Sequence, residues 1–290
     1  MSRRNFALFL SVGFLWGIPY LFIRVAVAHL PASIIVFSRV LIGALILIPI
    51  ALRRGTLSGA LKNLKYVIPY AIAEMIGPWI LITTAEKKLT SGLAGLLVAT
   101  VPIWSTIISS INGDRTVWHR KRLFGLIVGF AGVVLVVGLE TFSRKQSLLS
   151  IGMILVAAVG YAWAVIMVTK KIPQVDGIAI NGIAMAVTAV FYLPFAVIQL
   201  PAHIPPANSI LAVLALGFFS TALAFIAFFI VMKEIGPARA SLVTYLNTAI
   251  AVLLGVIILG EPLTVGIVVG LPLVLVGSYF ASRKSAPTSP

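Results

Sequence analysis

Ten apolar stretches divide this chain, each close to the length that crosses a lipid bilayer. They run over residues 6–27, 33–52, 66–85, 91–111, 122–139, 148–170, 177–199, 208–230, 237–258 and 264–281. About 20 apolar residues in a helix cover the roughly 30 Å hydrocarbon core. Lipid offers no hydrogen bonds, so a spanning segment must satisfy its own backbone, which a helix does. The predicted fold class is an all-α integral membrane protein of ten transmembrane helices. A mean hydropathy of +1.12 fits that class, and no segment reads as a second soluble domain.

The basic residues supply the orientation. Sixteen of the 22 Lys and Arg fall on one side of these spans. They are Arg3, Arg4, Arg53, Arg54, Lys62, Lys65, Arg115, Arg120, Lys121, Arg122, Lys170, Lys171, Lys233, Arg239, Arg283 and Lys284. Only Lys87, Lys88, Arg144 and Lys145 fall on the other side, and Arg24 and Arg39 fall inside spans. The positive-inside rule then puts both termini in the cytoplasm of a multi-pass protein. A pI near 10.6 would suit a nucleic-acid binder, but such a protein clusters its charge on a folded face. Here the charge lies in short loops between spans, so no nucleic acid is expected. The first span is too long for a cleavable signal, and Arg24 stands just before the candidate site Ala26-Val27-Ala28. With no cysteine, a disulfide framework and thiolate metal sites are excluded.

The two halves of the chain resemble each other. At an offset of about 145 residues, Pro102 falls on Asn247, Gly125 on Gly270 and Gly132 on Gly277. Trp16-Gly17 matches Trp163-Ala164, and the acidic loop Gly113-Asp114 corresponds to Gly260-Glu261 with a local shift. Five spans is an odd number, so homologous halves must sit in opposite orientations. The expected organisation is a first repeat over 1–145, an inverted second repeat over 146–284 and a disordered tail over 285–290.

Several sequence features in this order resemble the EamA family of the drug/metabolite transporter superfamily, over nearly the whole chain. Phe14-Leu15-Trp16-Gly17 lies in the first span, and Arg39 with a long apolar run lies in the second. The fourth span has Ser91-Gly92-Leu93-Ala94-Gly95-Leu96-Leu97 followed by Pro102. Leu259-Gly260-Glu261-Pro262-Leu263 and the Gly270/Gly277 helix close the pattern. Two positions depart from it: Asp114 where the family often has Glu, and Asn247 where the repeat partner of Pro102 often is Pro. Trp16 and Arg24, Glu74, Trp163, Tyr245 and Asn247 are similar in placing to the aromatic amino acid exporter branch. The resemblance implies a secondary transporter that moves amino acids or similar small metabolites out of the cytoplasm. It also implies residence in a bacterial inner membrane.

Three ionisable side chains lie inside spans: Arg24, Arg39 and Glu74. A charge at a helix centre costs about 2.5–3.5 kcal/mol on insertion scales, so each should face protein or water. Arg24 reads either as snorkelling to the interface or as a gating group. Arg39 lies deeper and is expected to pair with a carbonyl or carboxylate. Glu74 sits near the midplane, either as a ligand for a substrate ammonium or proton, or as a structural acid. Trp16, Trp79, Trp163 and Tyr245 also fall away from the interfacial belt where such rings gather. They are read as pocket walls or as ordinary packing. The substrate-lining set is Trp16, Tyr70, Glu74, Trp79, Trp163, Tyr245 and Asn247, with Arg24, Arg39 and Pro102 in structural or gating roles.

Other chemistry finds no support in the sequence. His29, His119 and His203 have no partner at metal-ligand spacing. No Gly-rich phosphate loop with Lys occurs. No hydroxyl–His–acid set lies at one depth. A non-enzyme without cofactor is expected, whose partners are a small-molecule substrate and the bilayer. Gly125-x-x-x-Gly129 and Gly266-x-x-x-Gly270 allow close helix packing, within a monomer or across a homodimer. The alternatives are a proton-coupled exporter of cationic drugs and a lipid-handling enzyme or scramblase.

Overall fold

The structure, a computed structural model, describes residues 3–113, 120–144, 147–235, 240 and 243–282. Asp114, Arg115, His119, Lys145, Arg239, Arg283, Lys284 and the expected tail 285–290 lie outside the described residues, as does the side chain of Arg144. Every regular element among the described residues is a helix. Eight helical segments are long and apolar enough to span: α1 (Arg3–Ala26), α2 (Ala32–Arg53), α3 (Leu64–Ala85), α4 (Ser91–Ile111), α5 (Arg120–Arg144), α6 (Leu148–Lys171), α7 (Gly177–Ile198) and α8 (Ala207–Ile235). Two more, α9 (Val243–Leu259) and α10 (Val265–Ser282), are apolar but shorter. The described residues therefore give eight segments of spanning length, and not the expected ten. Eight membrane-length apolar helices make this a multi-pass membrane protein.

Local sequence explains where the helices start and break. The Thr90, Ser147 and Asp176 side chains accept from backbone N–H groups three residues on and cap α4, α6 and α7. α1 breaks at Ile18, where Pro19 opens its second piece. α4 breaks after Val98 and resumes at Val101, with Pro102 in the first turn of the second piece. The broken backbone of α4 is not left bare. The Thr100 hydroxyl donates to the Leu97 carbonyl at 2.6 Å, and Ser278 of α10 donates to the Ala99 carbonyl at 2.9 Å. Two segments wind as π-helix, Ile72–Ile76 in α3 and Phe218–Leu223 in α8. In α3 the cause is legible: Pro78 has no N–H for the Glu74 carbonyl and its ring crowds that oxygen. α8 has no such proline.

The most extensive packing pairs α2 with α7 and α5 with α10. Both pairs run antiparallel. Ser33 at the start of α2 donates to Gln199 just past the end of α7 at 3.0 Å, while Thr56 beyond α2 reaches Asp176 at the start of α7 at 3.5 Å. In α5 and α10, a Cβ on Gly277 would lie 2.2 Å from the Gly129 nitrogen, and one on Gly132 would lie 2.9 Å from the Val274 nitrogen. The Gly-rich faces thus meet within one chain, which answers for α5 and α10 the question the sequence left open. Gly277→Ala has nowhere to place its methyl except against backbone. A loss of about 1–3 kcal/mol is expected, read as a lower thermal midpoint in detergent, whereas Gly138→Ala, with open space at Cβ, should be near neutral.

The buried core is continuous at one end of the bundle and divided at the other. One cluster spans α1–α6 and α8–α10, with Ile23, Leu89, Leu93, Leu96 and Ile154 almost wholly buried. It lies at the end that holds Glu86 and Glu261. Towards the opposite end there are two separate clusters, one from α2, α3, α6 and α7 with Phe225 of α8, and one from α1, α8 and α9. Trp16 packs against both. Arg4 of α1 and Glu234 of α8 form an ion pair at 3.2 Å at that end.

Candidate functional site

Each of the two π segments holds a buried polar atom that the fold does not satisfy. Glu74 Oε2 in α3 and Ser220 Oγ in α8 are buried with no hydrogen-bond partner among the described residues. Ser220 stands 146 residues after Glu74, so both occupy the same place in their halves. π-bulges recur at functional sites because an extra residue in the turn re-aims side chains and frees backbone groups. An unpaired buried polar atom costs about 1–3 kcal/mol, and here two stand in matching positions.

Tyr70 and Tyr161 lie in electrostatic reach of Glu74, and Arg39 and Trp79 adjoin Tyr161. Trp79 is one π-to-α transition further along α3 and only 5% exposed. The Arg39 guanidinium lies over its ring, 3.8 Å from the centroid. Arg39 also donates through Nε to the Thr221 hydroxyl at 2.8 Å, and that hydroxyl donates to the Leu216 carbonyl at 2.8 Å. The Trp79 indole N–H donates to Tyr161 of α6, whose hydroxyl lies in electrostatic reach of both Glu74 and Arg39. Tyr70 donates to Asn181 of α7 at 3.0 Å, and Asn181 donates in turn to the Gly177 carbonyl at 2.9 Å. Tyr192 of α7 donates to the Ile76 carbonyl at 2.6 Å and satisfies the end of the π segment. Gly160 lets α6 approach: a Cβ there would lie 2.6 Å from the Ala73 carbonyl oxygen. The Arg39–Thr221, Trp79–Tyr161, Tyr70–Asn181 and Tyr192–Ile76 links each join a helix of the first half to one of the second.

Of the residues expected to line a site, the structure brings together Tyr70, Glu74 and Trp79, with Trp16 packed against the same cluster. Trp16 meets Phe225 and Phe228 of α8, with ring centroids 5.6 and 4.6 Å apart. Asn247 and Tyr245 lie on α9, away from Glu74. The Asn247 carboxamide accepts from Thr248, and its backbone carbonyl packs on Gly17. The Tyr245 ring stands 6.5 Å from that of Tyr279. Trp163 is 41% exposed and shares no face with Tyr161, since two residues on a helix lie about 200° apart. Arg39 corrects the expectation made for it: its partners are a hydroxyl and an aromatic face, not a carbonyl or carboxylate. Arg24 does not snorkel freely; its guanidinium donates to the Glu86 backbone carbonyl. Pro102 sits in the first turn after the α4 break. Tyr161, Thr221 and Asn181 are the site's contributors that sequence reasoning missed.

The sequence matches the EamA-like transporter family twice, over residues 5–138 and 148–283, and the chain belongs to that family. It is 27% identical to the uncharacterized transporter YoaV of Bacillus subtilis (strain 168), over 95% of this chain and 97% of the relative. It is also 27% identical to the uncharacterized inner membrane transporter YedA of Escherichia coli (strain K12), over 93% and 90% of the two chains. A solved crystal structure shares the fold, with a TM-score of 0.68 at 18% identity and 97% of each chain covered.

Proposed function

We propose that the chain is a secondary transporter that moves zwitterionic amino acids, aromatic or apolar ones first, out of the cytoplasm by alternating access. The observation that carries this reading is Glu74 Oε2, buried without a partner in a π segment, with Tyr161 in electrostatic reach of both Glu74 and Arg39. Among the described residues Arg39 hydrogen-bonds through Nε alone, so its two Nη groups are open to a carboxylate. An amino acid would set its ammonium on Glu74, its carboxylate on Arg39 and its side chain against Trp79, Tyr161 and Tyr70. The antiparallel pairing of α2 with α7 and of α5 with α10, each with its own counterpart, supports ten spans in two inverted five-helix repeats. Rocking of the halves about such a site exposes it to each side in turn. The divided core marks the end that opens and the continuous core the end now closed. We place the divided end and both termini in the cytoplasm of an inner membrane, on the charge distribution and on the naming of YedA.

The test is counterflow in proteoliposomes with a panel of labelled amino acids. Exchange of aromatic or large aliphatic ones is expected, falling about tenfold or more in Glu74→Gln, the loss of one charge-assisted contact. If no amino acid exchanges, the substrate assignment is wrong. A second reading is favoured by the same free carboxylate: export of an organic cation against protons, with Trp79, Tyr70 and Tyr161 supplying cation–π faces. Cation flux driven by an imposed pH gradient, and lost in Glu74→Gln, would decide for it.

A further inference from the structure

A second buried acid lies at the closed end, outside the site just described. Glu86 follows the last turn of α3 and is wholly buried, and neither carboxylate oxygen has a hydrogen-bond partner among the described residues. Glu261, in electrostatic reach of Glu86, shows how an acid is housed at this end. It accepts from the Ser91 N–H at 2.7 Å, the Ser91 hydroxyl at 2.8 Å and the Gly92 N–H at 3.1 Å, at the N-terminus of α4. The positive end of a helix dipole favours a carboxylate there. Glu86 has the reverse placing, at a helix C-terminus with no donor. The titratable groups facing it are Tyr20 and Arg24 of α1, Arg39 of α2 and Glu261 of the α9–α10 turn; α4 brings none over Ser91–Val98. Arg24 spends its guanidinium on the Glu86 backbone carbonyl and not on the carboxylate.

We propose that Glu86 is a proton-binding site of the closed end, which holds a proton while that end is shut and releases it when that end opens to water. The proposal rests on the alternating-access reading and adds a coupling ion to it. Burial pushes the Glu86 carboxyl well above the usual carboxylate range, the Glu261 carboxylate adds to this, and Arg24 and Arg39 oppose it. Hydration on opening returns it towards about 4.3. The closed form therefore binds more protons than the open form at pH values above about 4.3 and below the raised closed-form range. Raising the pH through that window favours the open form, and lowering it favours the closed one. A proton picked up on the outside would thus close that end and turn the carrier inward.

The chain has no cysteine, so single thiols report without background. Leu89→Cys places one in the sealed core beside Glu86, and Ile204→Cys places one on the same end at 90% exposure as a reference. Labelling by a membrane-impermeant maleimide is measured in liposomes between about pH 5 and pH 9. The Leu89→Cys rate, relative to the reference, is expected to rise about tenfold per unit inside the titration window. In a Glu86→Gln background it should stay low and flat. Equal, rising profiles in both backgrounds overturn the proton site while leaving alternating access intact. No labelling at any pH in either background overturns both. If Glu86→Gln does not fold, Glu86→Asp replaces it: a displaced midpoint supports the site and an unmoved one overturns it. No substrate is needed, so a failed amino acid screen does not touch the result.

Discussion

Glu261→Ala will cost more stability than any other single change outside the apolar core. The carboxylate joins the α9–α10 turn to the start of α4 through three donors, two of them backbone N–H groups. Its removal leaves those donors facing apolar side chains, since Ser91 is wholly buried. Bonds to a charged group contribute about 1.5–3 kcal/mol each, and stranded donors cost about 1–3 kcal/mol each. The terms overlap, so a net loss of roughly 3–5 kcal/mol is expected, as when one member of a buried ionic contact is removed. The readout is a large fall in the thermal midpoint and loss of the monodisperse peak on size exclusion. Glu261→Gln keeps an acceptor for one or two of the donors and should fall between. The chain has shaped itself to this contact: a Cβ on Gly255 would lie 2.3 Å from Glu261 Oε2, and Gly260 turns with φ of +63°. Gly255→Ala should therefore reproduce part of the Glu261→Ala loss.

The parts of the fold written in hydropathy were legible, and the parts written in contacts across the bundle were not. Apolar runs located the helices because length and hydropathy are local properties. They placed both ends of α10 and the far end of α9 within one residue, and the start expected for α9, 237–242, lies outside the described residues except at 240. Glu74 was legible because an acid inside a span must have a reason. Pro78 four residues on already implied a disturbed turn at Glu74, whereas the matching π segment at Phe218–Leu223 has no proline to announce it. In α6 the inward face could have been read. Ala157, Tyr161 and Ala164 fall on one helical stripe with small neighbours, while Trp163 shares the exposed side with Val156, seven residues earlier. Choosing Trp163 by residue type, and not by face, missed Tyr161. Glu86 escaped notice beside Lys87 and Lys88, which are exposed and gave the whole loop an aqueous character.

Arg39→Met will cut exchange about a hundredfold while leaving the fold nearly as stable as before. Arg39 is 9% exposed and has no carboxylate partner among the described residues, so its burial is a cost that the Trp79 face and the Thr221 hydroxyl only partly offset. Replacing a buried charge by an apolar side chain of similar volume is often neutral or stabilising. Thr221 keeps its bond to the Leu216 carbonyl, so no donor is stranded by the change. A thermal midpoint equal to or above that of the parent is expected, together with a fall in amino acid exchange of about a hundredfold, the loss of a charge-assisted bidentate contact. Arg39→Lys should recover little, because a point charge neither stacks on Trp79 nor presents two parallel donors. A residue kept at the expense of stability marks a site held ready for a ligand. If Arg39→Met instead lowers the midpoint as far as Glu261→Ala does, Arg39 is a brace between α2 and α8, and the substrate carboxylate must be bound elsewhere.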